Sequence, residues 1–448
     1  MKKRWIILMA ILVVISVMGL FAPEQPELWT VDSNVNNADV AWMITATIFV
    51  LMMTPGLSLF YGGMVRQKNV ISTILQSFIA MGVISIIWVF FGFSLAFGDD
   101  IGSFVGNPAT FFMFDGVGAK TDPLLAPTIP LALFALFQMK FAIITPSLIT
   151  GSFAERVRFS GYLVFMMLFC IFVYCPLAHW TWHPDGFLRQ MGVVDFAGGI
   201  VVHASSGVAA LAGAIFLGKR TEQNSTHVPA NIPFVILGAA MLWLGWFGFN
   251  AGSSLAANGV AVKAFLNTNT ASATAMMAWV VFDCLRGRKP SAMGAAIGAV
   301  VGLVAITPSA GFVTVGESIF IALVTTIVCN VAVYWKNHTS VDDALDVFPT
   351  HGVGGILGTV LTGVFVHGLI DGHWDVFFIH ILAVIIVCVY TFVVTYALYW
   401  LTNKMIPMRV SANSERIGLD ISQHDEQYGM LEPERELAEY SEGDVSSK

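Results

Sequence analysis

Apolar runs of about 20 residues recur along the chain, each long enough as a helix to cross a hydrocarbon core of about 30 Å. Bounded by polar clusters or by Pro and Gly, they predict spans at about 40–62, 70–97, 127–150, 161–180, 196–218, 231–252, 258–283, 291–309, 312–335, 350–370 and 376–403. Strands of a membrane barrel would instead alternate polar and apolar residues over about 10 positions. The pattern therefore predicts an all-α integral membrane protein, with eleven transmembrane helices over 38–405. An earlier apolar stretch, Trp5 to Ala22, follows Lys2, Lys3 and Arg4. Its charged start and its length fit a signal peptide or an N-terminal membrane segment over 1–22, although Pro23 is an awkward residue to follow a cleavage point.

Lys and Arg concentrate in alternate loops. One set holds twelve (Arg66, Lys68, Arg156, Arg158, Lys219, Arg220, Arg286, Arg288, Lys289, Lys336, Lys404, Arg409) and the other three (Lys120, Arg189, Lys263). The positive-inside rule then places the start of the first span outside and the tail over 406–448 in the cytoplasm, which requires an odd number of spans. That tail is acidic and lacks apolar runs, so it is expected to be solvated and, beyond Tyr428, disordered.

Composition sharpens the class. Of 448 residues, 56% are hydrophobic and 11% charged, where a soluble domain carries roughly 25% charged residues. A soluble enzyme and an intrinsically disordered chain are both excluded. The formal net charge of -7 collects in loops and tail, and no basic stripe for nucleic acid is present. Five cysteines lie in or beside apolar runs without a CxxC pair, which implies packing residues and neither a disulfide framework nor a zinc site.

The chain echoes itself. Pro55-Gly56-Leu57-Ser58-Leu59-Phe60-Tyr61-Gly62-Gly63 ends the first span, and Gly245-Trp246-Phe247-Gly248-Phe249-Asn250-Ala251-Gly252-Ser253 ends the sixth. Asp195 precedes a span that carries His203, and Asp346 precedes one that carries His351. Five spans separate each pair, an odd number, so the halves (about 40–218 and 231–370, with 376–403 outside the repeat) would run in opposite directions, as in inverted-repeat transporters.

Ionisable groups inside spans are costly and mark function by default. His203 and His351 sit among small residues that allow close backbone approach and leave room for a narrow path. From spacing alone they fit a path-lining pair or two packed neutral rings equally well. No HExxH or third ligand supports a metal, while bis-histidine haem ligation stays open. His380 reads as a packed or interhelical residue, and His179, His183, His367 and His373 as ordinary span-end residues. Phe137 and Phe141 share a helix face, Trp182 ends the fourth span, and Phe249 with Ser253 form another i, i+4 pair on the same side. Such rings plus a hydroxyl could hold a small cation, at about 0.5 to 2 kcal/mol per ring; an interfacial aromatic belt is the plainer role. Asp195 reads as an N-cap or a substrate contact, and Asp342, Asp343 and Asp346 as organisers of a cytoplasmic loop.

Five motifs in order, Phe60 to Asn69, Ala154-Glu155-Arg156, Asp195 to His203, Gly245 to Ser253 and Asp346 to Gly352, resemble the Amt/Mep/Rh family of ammonium transporters, in its bacterial Amt branch. The resemblance runs from about residue 38 to His424 and includes a tail motif, Glu415-Arg416-Ile417-Gly418-Leu419-Asp420 followed by His424. It implies eleven spans in inverted five-helix repeats, a homotrimer with one pore per subunit, no enzymatic activity and no cofactor or metal. By motif, Trp182, Phe137, Phe141 and Ser253 would recruit ammonium or methylammonium at the outer mouth. Phe141 and Phe249 would form the gate, and His203 and His351, with Leu57, Tyr61 and Trp246, the pore. Asp195 would be the essential acid. Arg416, Gly418, Leu419, Asp420 and His424 would form a regulatory tail that meets a PII-type signalling protein. The other readings are an ammonium sensor and a bis-histidine haem redox protein.

Lys140, directly before Phe141, departs from the resemblance, because the family usually has an uncharged residue there and a cation would repel the substrate. It is expected to face away from the pore, with its amine out of reach of the Ser253 hydroxyl.

Overall fold

A computed structural model describes residues 2–21, 26–221 and 227–429, so the acidic stretch beyond Tyr428 lies almost wholly outside the described residues. A first helix, α1 (Lys2–Leu20), is followed by eleven helical segments where the apolar runs predict them. They are α2 (Asn37–Met64), α3 (Gln67–Phe97), α4 (Leu131–Ile149), α5 (Phe159–Gln190, with a turn at 183–186), α6 (Gly199–Leu217), α7 (Ile232–Ala251), α8 (Gly259–Leu285), α9 (Ala292–Ile306), α10 (Val315–Lys336), α11 (Phe348–Asp371) and α12 (Trp374–Met405). Nine of these are long and apolar enough to cross a membrane; α8 and α9 are the other two. A short antiparallel hairpin, β1 (Asp100–Ile101) with β2 (Val105–Gly106), follows α3.

Segment ends shift from expectation for local reasons. The run at 127–150 becomes helical only at Leu131, because Pro127 and Pro130 hold the preceding chain extended. The run at 312–335 starts at Val315, where Thr314 and Glu317 form a capping box. Helix α8 is the most polar span, and its polar groups close the break between α9 and α10: the Asn267 amide donates to the carbonyls of Ala310 and Val313, and Lys263 to that of Phe312. Those bonds satisfy carbonyls that lipid could not.

Lipid tails are as apolar as Leu, so helices in a bilayer associate through close packing and hydrogen bonds. The tightest approach lies where α6 crosses α11. A Cβ on Gly207 would collide with the Gly352 nitrogen, and one on Gly355 would stand 2.6 Å from the Ala204 nitrogen. Only glycine permits that crossing, and it brings His203 and His351 together. Both helices begin with a π-helical turn, Gly199–Ala204 and Phe348–Gly352, and each histidine lies on its turn. The wider turn re-aims side chains, as π-bulges often do at functional sites.

The end of the bundle where α2, α4, α6 and α10 finish is densely ion-paired. Glu155 pairs with Arg66 and with Arg220 at 2.9 Å, and Arg220 also pairs with Asp342 at 2.9 Å. Arg156, wholly buried, donates to the Asp342 carbonyl at 2.6 Å. Burial drags its guanidinium down to about 10, against the pull of Asp342. Burial works against ionisation of Glu155 and Asp342 as well, yet their arginine partners hold both carboxyls below the usual range. The Asp342, Asp343 and Asp346 group thus does more than organise a loop, because it locks three helix ends.

Candidate functional site

At the opposite end, α4, α5 and α7 meet around a vestibule of about 360 Å³. Phe134, Gln138 and Phe141 line it from α4, Trp182 from α5, and Ser253 from the chain after α7, with Asp195 and Arg189 at its rim. The Trp182 indole N–H donates to the Asp195 carbonyl at 3.0 Å, and its ring meets Phe141 edge-on at 5.8 Å. Ser253 Oγ donates to the Phe249 carbonyl at 2.8 Å, which leaves its lone pairs to accept from a ligand. The expected recruitment residues Trp182, Phe141 and Ser253 therefore share one cavity. Phe137 is 1% exposed and lies behind Phe141 at 4.9 Å, against Gly252, outside the vestibule lining.

Phe141 and Phe249 stack at 4.2 Å and 24°, and they form a floor. Phe141 lines the vestibule above, and Phe249 lines a chamber below with Leu57, Trp246, His203 and His351. That chamber holds about 10 Å³, the space of one water-sized molecule. The histidine Nδ1 atoms stand 3.4 Å apart, so the rings share one proton between two nitrogens, and one of the two is the acceptor. His203 also stacks on Trp246 at 5.2 Å, and its Nε2 is buried without a partner. Trp246 is fixed in turn by its N–H to Thr307 Oγ1 at 2.9 Å. Tyr61 does not line the chamber: it lies one turn beyond Leu57 and donates to the Leu148 carbonyl at 3.0 Å. Two imidazoles this close, in a chamber this small, leave no place for a haem between them, so the bis-histidine haem reading does not fit.

Asp195 caps the start of α6. Its carboxylate accepts from the N–H groups of Gly198, Gly199, Ile200 and Val201 at 2.6 to 3.2 Å. Burial still pushes the carboxyl above its usual value against those four donors. Its counterpart before α11 is Asp343, not Asp346. Asp195 stands eight residues before His203 and Asp343 eight before His351, and Asp343 Oδ2 accepts from the Phe348 N–H at 2.7 Å as Asp195 Oδ2 does from Ile200. Asp346 stands next to the helix in sequence but adopts a positive φ of 58° and pairs with Lys336 at 2.6 Å. A cap five residues upstream follows from the π turn, which the sequence does not announce.

The family model of the Ammonium Transporter Family matches residues 41–428. The chain belongs to the ammonium transporter family. A putative ammonium transporter of Methanothermobacter thermautotrophicus is 44% identical over 403 residues, covering 87% of this chain and 98% of that protein. The crystal structure of Saccharomyces cerevisiae Mep2 superposes with a TM-score of 0.82 at 34% identity, over 90% of this chain and 93% of that one. A structure described as a sensor Amt protein gives 0.80 at 28% identity, over 87% and 98%. A family of multi-pass membrane transporters thus accounts for the whole bundle.

Within this ammonium transporter, a polar vestibule residue on α4 escaped the sequence reading. Gln138 is 9% exposed, and its Oε1 is buried with no hydrogen-bond partner beside the vestibule. A polar residue directly after Phe137 in an apolar helix was the available signal. Lys140 turns elsewhere: it is absent from the vestibule lining, and its amine lies 3.7 Å from Met139 Sδ. The tail motif clasps the loop between α2 and α3. The Arg416 carbonyl accepts from Lys68, the Leu419 N–H donates to Asn69, and Asp420 accepts from the N–H groups of Ile71 and Ser72. His424 Nε2 lies 3.2 Å from Ser72 Oγ. Gly418, at φ +106°, brings its Cα face against the Lys68 backbone, where a Cβ would clash at 2.5 Å.

Proposed function

We propose that the protein recruits ammonium at the vestibule, strips one proton from it at the stacked phenyl floor, and passes ammonia into the cytoplasm along His203 and His351. The carrying observation is the position of the Phe141 and Phe249 stack, between a cation-suited vestibule and a one-molecule chamber. Trp182, Phe141 and Ser253 offer two ring faces or edges and a hydroxyl acceptor, which favour a small cation with N–H donors over sodium. Dehydrating that cation and moving it through an apolar chamber costs far more than contacts of about 0.5 to 2 kcal/mol per ring return. Neutral ammonia pays no such penalty. Phe137 supports the Phe141 ring from behind, and Tyr61 and Leu57 form the inner exit.

The proton's route follows from the histidines. Two imidazoles sharing one proton can relay another. Ammonium-evoked current in reconstituted vesicles is the expected result, and uptake without current would leave a neutral gas channel. The Lys and Arg distribution supports a cytoplasmic ion-paired end and an outward vestibule. There the docked tail would transmit contact with a PII-type protein to the inner loop, in a homotrimer with one pore per subunit. Methylammonium uptake tests the reading directly. Phe249→Leu is expected to weaken selectivity, His203→Ala to lose transport, and removal of the tail after Met405 to change rate without changing substrate. Likeness to a sensor Amt protein keeps sensing as the second reading; ammonium binding without any methylammonium uptake would favour it.

A further inference from the structure

His179 lies at the end of the continuous part of α5, three residues before Trp182, and is 0% exposed. Its Nδ1 stands 3.0 Å from the Ala96 carbonyl and its Nε2 stands 2.9 Å from Asp100 Oδ1. A carbonyl and a carboxylate both only accept. Both ring nitrogens are satisfied only when both carry a proton, so the geometry calls for an imidazolium against a carboxylate. Partial burial opposes ionisation of Asp100, but the His179 ring and the Ser103 N–H hold its carboxyl below the usual range. His183 stacks on His179 at 4.4 Å, and its own Nδ1 accepts from the Asp185 N–H. The charged and titratable groups around His179 and the stacked His183 are Asp100 on the hairpin, Asp122 on the loop before α4, and Asp185 at the end of the helix.

The hairpin that carries Asp100 is fastened to the same helix end twice more. The Trp180 indole N–H donates to the Phe104 carbonyl at 2.7 Å, and the Phe187 N–H donates to Ser103. None of these groups lines the vestibule. We propose that the His179–Asp100 pair is a positioning device that holds the helix end in the register that presents Trp182 to the recruited cation. The proposal rests on the vestibule being the recruitment site.

Asp100→Asn separates this role from plain structural support, because its amide can donate to the bare Nε2 and so hold the clamp without charge. Methylammonium uptake, read as KM against maximal rate, is the probe. Asp100→Ala is expected to raise KM several-fold with little change in maximal rate, and Asp100→Asn to stay near the wild-type KM. An Asp100→Asn KM raised as far as that of Asp100→Ala, or Asp100→Ala binding as well as wild type, overturns the device. Absence of methylammonium uptake in the wild type would instead overturn the transport reading beneath it.

Discussion

At the vestibule a cation would meet rings and neutral oxygens, and the Asp195 carboxylate is turned onto four backbone N–H groups. At the opposite end, Arg66, Glu155, Arg220 and Asp342 are joined in one network, with Arg409 and Glu415 of the tail beside it. Ion pairs hold loops in fixed register, while the path is left to groups that bind a cation without gripping it. A carboxylate aimed into the vestibule would bind ammonium too tightly to release it through a one-molecule chamber. On the proposed function the two ends divide the work, the charged end fixing structure and the aromatic end handling the substrate.

Asp195 tests where that division lies, and it carries the largest expected effect. Replacing it with Ala leaves four buried N–H groups unpaired, each at a cost of about 1–3 kcal/mol. The start of α6, and with it His203, should lose its position, and uptake should fall below detection. Asp195→Asn keeps an acceptor oxygen and should recover part of the uptake. Full activity in the Ala variant would mean that the cap is dispensable.

Asp342→Asn should separate stability from transport. Breaking a buried pair typically costs about 3–5 kcal/mol, so thermal unfolding of the purified protein should shift down clearly. Uptake per folded molecule should stay near wild type. If uptake per folded molecule falls while folding stays intact, the charged end does more than fix loops.

At the aromatic end the effects are smaller and fall on affinity. Ser253→Ala and Gln138→Leu each remove one acceptor for a charged donor, a contact worth about 1.5–3 kcal/mol, which is roughly tenfold or more in apparent affinity. Methylammonium KM should rise by that order in each variant. An unchanged KM in Gln138→Leu would show that its buried oxygen faces something other than substrate.

Titration separates groups within the charged end. Burial pushes the Asp343 carboxyl up to about 6, so the folded chain holds that proton more tightly than the unfolded one. Its stabilising contribution is present below the unfolded value and is lost as pH rises through about 6. Glu155 and Asp342, held low, contribute the opposite way: their stabilisation is present at neutral pH and is lost as pH falls. Asp343→Asn should therefore remove only the decline toward neutral pH, as read from unfolding temperatures measured across that range.

Hydrophobic runs made the eleven segments legible, because a span must be apolar for its whole length and loops must not be. Trp182, Phe141, Ser253, Phe249 and both histidines were legible as types at helical spacing. What brings them together was not. The Gly207 and Gly355 contacts are long-range, and the π turns that carry His203, Phe249 and His351 leave no mark in the local pattern. The same turns moved the cap of α11 from Asp346 to Asp343. His179 was read as an ordinary span-end residue because its partner, Asp100, is 79 positions away on a hairpin too short to be seen in sequence.

Lys140 gives the smallest expected effect and the finest test of the comparison, since it is a charge on α4 directly beside Phe141. At about 100° per residue, Phe134, Phe141 and Gln138 fall on one arc of α4, and Phe137 on its edge. Lys140 falls about 60° beyond Phe137 and about 100° from Phe141, which explains both why Phe137 sits behind Phe141 and why the amine finds Met139 in place of Ser253. A long side chain on that face can carry its charge toward the interface and so avoid most of the cost of a buried cation. Lys140→Met should leave methylammonium KM and maximal rate unchanged and should leave the unfolding temperature equal or slightly higher. A fall in KM would mean that the amine had been repelling the substrate from within reach of the vestibule.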